Sequence, residues 1–180
     1  MQATVSATSA AAHTAHVAAL IVISKATLTA VQVAQTNVTA AINSALASAQ
    51  QVIATPAPRR PEAKQIPATC NKAFQAATSA SRIAENQAPT VVSAQQAIKS
   101  CNQAVTATAN AVQVAQAIAQ TPAEEVAYRI AEAHYSTAAR CLTDAESAPT
   151  PAATMVLVQA AAAHIAAAVA QVATVGTMSA

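Results

Sequence analysis

Glycine occurs once in this chain, at Gly176. A glycine-rich phosphate loop is thereby excluded, because backbone amides close on a phosphate only where several side chains are missing. Tryptophan is absent, and Phe74, Tyr128 and Tyr135 are the whole aromatic complement. Three rings offer little for base stacking, and the nine basic residues are scattered or sit in a linker. Phosphate binding needs clustered Lys and Arg, so nucleic acid is not expected as a partner. Charge of either sign is scarce, at 9% of residues, against a usual figure of about 25%. Its placement is uneven. Residues 1–58 carry Lys25 alone, and residues 100–123 and 147–180 carry no charge at all.

What fills the space is alanine, about 30% of the 180 residues. Alanine has the highest helix propensity and loses no side-chain entropy on folding, so the local preference is helical nearly everywhere. It also buries little apolar area, so stability has to come from many close helix contacts rather than from a few large side chains. The length fits one domain, 1–180, and the fold class expected is all-α, an Ala-rich antiparallel bundle of about five helices.

The alternating three- and four-residue spacing of Val17, Ile21, Ser24, Leu28, Val31, Gln35, Val38, Ile42, Ala45, Ala49 and Val52 predicts a long first helix over residues 5–54, the spine of the bundle. All eight prolines fall between expected helices. Pro56, Pro58, Pro61 and Pro67 mark a linker over 55–67. Further helices are expected over 69–86, 90–120, 122–147 and 151–176. Thr121, Pro122 and Glu124 make the strongest start signal, with Thr121 capping and Glu124 completing a capping box. Gly176 falls where a helix end favours a left-handed residue. Met155 to Val175 is long enough to span a bilayer, but Gln159, His164 and Gln171 interrupt it, and a helix buried by protein on most sides is the reading preferred.

Few residues invite chemistry. Cys70, Cys101 and Cys141 fall one to each of the middle helices. A Cys70–Cys101 disulfide would pin two neighbours and leave Cys141 as a free thiol; the competing reading makes all three small buried apolar residues. His13 and His16 share a helix face at i,i+3, a spacing that suits a divalent metal, but no carboxylate lies near them and they read as surface or seam histidines. No catalytic residue, cofactor site or metal site is assigned, and an enzyme is not expected.

The function expected is structural: uncharged Ala, Thr and Gln faces that pack against other copies, with little charge repulsion to prevent stacking. In composition and seam the helices resemble those of helical insect silks. Strings such as Gln35 to Ala40 and Ala47 to Gln51 resemble the Ala- and Gln-rich subunits of bacterial refractile bodies. Two alternatives name another surface as partner. Low-charge Ala and Thr faces resemble the Ala-rich helical antifreeze proteins of fish, which implies ice binding; those repeat Thr every eleven residues, and here only Thr143 and Thr154 do so. Five amphipathic helices resemble insect apolipophorins in plan, which implies an exchangeable lipid-binding bundle, although the charged faces used at membrane surfaces are missing. Met1 to Thr14 lacks a basic n-region, so the compartment is unread; an extracellular location with a signal already removed is compatible with it.

Overall fold

The structure is a computed structural model and describes residues 2–24 and 61–178. Among these residues it is all-α, a packed helical bundle. Five helices are described: α1 Gln2–Ser24, α2 Ile66–Asn86, α3 Val91–Ile118, α4 Pro122–Glu146 and α5 Pro151–Met178, with a 3-10 turn Pro61–Gln65 ahead of α2. Connections of three or four residues join α2 to α5 in series, so α2 packs on α3, α3 on α4 and α4 on α5.

Side-chain chemistry sets the helix starts. Thr121 Oγ1 accepts from the Glu124 amide, and the Glu124 carboxylate accepts from the amides of Thr121 at 2.9 Å and Gln120 at 2.8 Å. The capping box read from the sequence is present, and it satisfies amides that the first helical turn leaves without partners. Thr90 and Ser93 make a second box at the start of α3. In α2, Pro67 lies inside the first turn rather than ending a linker. Its missing N–H would have had no partner there, so the helix begins three residues earlier than the sequence suggested.

The long first helix is not supported. α1 is described over Gln2–Ser24, and the rest of the expected seam, residues 25–54, lies outside the described residues, as do positions 55–60 of the linker. The spine is α5 instead, which touches α1, α2, α3 and α4. Every residue from Ala153 to Ala173 is buried. Alanine on all faces lets four helices approach at once, and the lack of charge means that no face requires water. Residues Pro151–Thr177 are long and apolar enough to cross a membrane, yet 94% of the most apolar window is covered by protein. The other helices show one buried stripe each, such as Cys70, Ala73, Ala77, Ala80 and Ala84 on α2.

Gly176 also departs from expectation. It lies within α5, which runs on to Met178, and its φ is not positive. A Cβ at this position would stand 3.2 Å from both Cδ1 and Cγ2 of Ile66. The glycine makes room for the first residue of α2 rather than capping a helix.

Candidate functional site: an uncharged outer face and a buried imidazole cluster

Two features stand out from the alanine background, one outside and one inside. On the outside, α3 exposes Asn102, Gln103, Thr106, Asn110, Gln113 and Gln116. From Ser100 to Ile118 it carries no charge, a stretch of about 28 Å at 1.5 Å per residue. Val91 and Val92 are exposed at its start. The eleven-residue threonine pair does not share such a surface: Thr143 is exposed, whereas Thr154 is buried with its hydroxyl donating to the Ala145 carbonyl at 3.2 Å.

On the inside, all four histidines of the chain meet. α1 lies along α5 and brings His13 and His16, with Ala12 and Ala15 as its buried stripe. α4 brings His134, and α5 brings His164. The ring centroids of His134 and His164 are 5.2 Å apart, and those of His16 and His164 are 5.3 Å apart. His13 lies 5.2 Å from His134 and 5.5 Å from His164. Exposure falls in order along the cluster: His13 is exposed, His16 half-buried, His134 4% exposed and His164 fully buried.

Hydrogen bonds order the rings. His134 Nδ1 and His164 Nδ1 are 2.9 Å apart, and Ser9 Oγ lies 2.8 Å from His134 Nε2. His16 Nδ1 lies 3.2 Å from Cys141 Sγ. Among the described residues His164 Nε2 is buried and has no hydrogen-bond partner. That orphan selects a tautomer. A buried N–H without an acceptor costs more than a buried lone pair without a donor, so His164 carries its proton on Nδ1 and donates it to His134 Nδ1. His134 then holds its proton on Nε2 and donates to Ser9 Oγ, and a bare lone pair is left at His164 Nε2.

Burial, followed by the neighbouring imidazoles of His134, His16 and His13, pushes the pKa of His164 down to about 3. Burial and then His13 push His134 down to about 4. His16 is lowered by burial, His13 and Arg140, with Asp144 opposing. His134 and His164 are therefore neutral near pH 7; the His134 lone pair accepts from His164, and the lone pair at His164 Nε2 is the one left over. A cleft of about 910 Å³ between α1 and α4 runs beside the cluster, lined by Val5, Ser9, His13, Val126, Ile130 and Gln171 among others.

The sequence placed His13 and His16 on one face and set metal aside; the structure brings them to His134 and His164, which spacing alone did not join. The three cysteines are free and buried. Burial raises each thiol to about 12, and the thiol that bears on Cys101 is Cys141 rather than Cys70. Among the described residues no three His, Cys, Asp or Glu groups stand as a ready-made metal cage. Comparison with family models, with curated proteins and with solved structures finds no match to this chain.

Proposed function

We propose that this chain is a non-enzymatic structural protein that associates with copies of itself through the uncharged outer face of α3. The observation that carries the reading is the run of exposed amide and hydroxyl side chains from Asn102 to Gln116 with no charge among them. A surface helix usually presents Glu and Lys, which repel their like and hold copies apart. Lys99, a turn before Asn102, is the one charge on α3; beyond it a second copy meets no such repulsion, and amides and hydroxyls can hydrogen-bond across the contact. Net charge is only +2, so the whole molecule opposes association weakly. The exposed Val91 and Val92 add apolar area at one end of the same helix.

Light scattering coupled to size exclusion over a concentration series tests this directly. The mass is expected to rise with concentration, and the triple variant Gln103→Glu, Asn110→Glu, Gln113→Glu is expected to stay monomeric. A monomer at every concentration, or a triple variant that assembles like the parent, would overturn the reading.

A further inference from the structure

The imidazole cluster plays no part in association through α3, yet it gathers every histidine of the chain from positions up to 151 residues apart. Two of its rings share one arrangement. His164 engages Nδ1 with His134, and His16 engages Nδ1 with Cys141. In both, Nε2 is the nitrogen left over among the described residues, and in His164 it is a desolvated lone pair without a partner there in a fully buried side chain. Metal-ligating histidines typically have this form, one nitrogen held by a neighbour so that tautomer and ring direction are fixed and the other presented to the ion.

We propose that His164 Nε2 and His16 Nε2 together hold one Cu(I) ion between α1 and α5. Both rings supply neutral nitrogen, no carboxylate is hydrogen-bonded to the cluster, and at His16 the Arg140 guanidinium outweighs the Asp144 carboxylate, so no net negative charge there offsets a divalent ion. The desolvation cost of an ion rises with the square of its charge, which favours a monovalent ion in an alanine interior. Cu(I) is the monovalent ion of this kind for which imidazole is a fitting donor, and it is satisfied by two ligands where Zn(II) requires four. That fits a place with two presented nitrogens and no cage of three. The rings stand 5.3 Å apart, nearly perpendicular at 77°, so His16 must pivot about its Nδ1 contact to bring Nε2 to the ion, while His164 stays where His134 holds it. No proton has to leave the protein: His164 keeps its Nδ1 proton toward His134, and His16 keeps its own toward Cys141 Sγ. His134 and Ser9 act as positioning residues, and exposed His13 marks the side from which the ion enters.

Anaerobic titration of the full chain with Cu(I) in competition with bicinchoninate tests the site. One equivalent is expected to be withheld from the chelator. His164→Gln and His16→Gln should each weaken binding at least ~100-fold, His134→Gln ~10-fold, and His13→Gln should bind as the parent does. Because His164→Gln could unfold the bundle, the parent chain is also labelled with nitrogen-15 and titrated with Ag(I), a redox-inert probe for the same site. The Nε2 resonances of His164 and His16 should shift while both Nδ1 atoms stay protonated. The proposal fails if no Cu(I) is withheld, or if shifts appear at His13 alone. It also fails if binding disappears in the Cys70→Ala, Cys101→Ala, Cys141→Ala variant while a folded His164→Gln retains it.

Discussion

Acidifying the metal-free protein from about pH 7.5 to about pH 5 is expected to remove about 4 kcal/mol of folding stability, through two rings alone. In the fold His134 titrates at about 4 and His164 at about 3, both depressed from 6.5 by burial first and by neighbouring imidazoles second. Above pH 6.5 neither the folded nor the unfolded chain protonates these rings appreciably, and the stability they contribute is fully present. Below 6.5 the unfolded chain takes up two protons that the folded chain refuses, so stability falls as pH falls toward the folded values. At about pH 5 each ring has lost about 1.5 pH units of this difference, worth about 2 kcal/mol. His16 is shifted in the same direction and adds to the loss. A domain of this size is stable by only about 5–15 kcal/mol, so the effect is a large share of the whole. Urea titration followed by far-ultraviolet circular dichroism reads it as a midpoint lower by roughly 2 M at the acid pH. His164→Gln should show about half the fall. A parent chain whose midpoint hardly moves, or a folded His164→Gln whose fall is undiminished, would refute the claim that these rings are buried neutral.

Other expectations follow from the packing. Thr121→Ala leaves the Glu124 amide without its acceptor and should cost about 1 kcal/mol, read as a lower thermal midpoint. Ala163→Leu drives a large side chain into the fully buried face of α5 and should cost about 1–3 kcal/mol or more by urea titration. Gly176→Val should be destabilising by a similar amount against Ile66, and the double variant Gly176→Ala, Ile66→Val should recover most of what Gly176→Ala loses. Cys70, Cys101 and Cys141 should react slowly with Ellman's reagent in the native protein and all three at once in denaturant, because burial holds each thiol at about 12.

The helical class and the helix starts were legible because local signals express them. Thr121, Pro122 and Glu124 act within one turn, and the structure places each where the spacing implies. Choosing the central helix was not a local problem. The seam from Val17 onward drew the reading to the first helix, since periodicity reveals that one face is apolar but not how many neighbours a helix has. The better sign was the lack of any polar face in residues 147–180, where Ala, Val and Ile surround the axis. The imidazole cluster was invisible to spacing because its members come from three helices, with Ser9 and His134 separated by 125 positions. One sign was available: His164 interrupts the most apolar helix of the chain, and an imidazole buried there requires a partner. His134 was the only histidine on the adjoining helix α4. The Gly176 reading failed because a glycine before a helix end serves a close approach as readily as a cap.

A cylinder surfaced with methyl groups looks much the same after a shift of one turn, about 5.4 Å along its axis. α5 is such a cylinder where its alanines cluster, at residues 160–163 and 166–168, and there contact by itself does little to choose among neighbouring alignments. Met155, Leu157, Ile165 and the buried valines interrupt it with larger apolar shapes, and Gln159, His164 and Gln171 are its largest polar irregularities. Slide α5 by a turn and His164 leaves His134, stranding two ring nitrogens where no water can reach them. The histidine pair thus adds a polar detent to the apolar shapes that set the resting position of α5 among its neighbours.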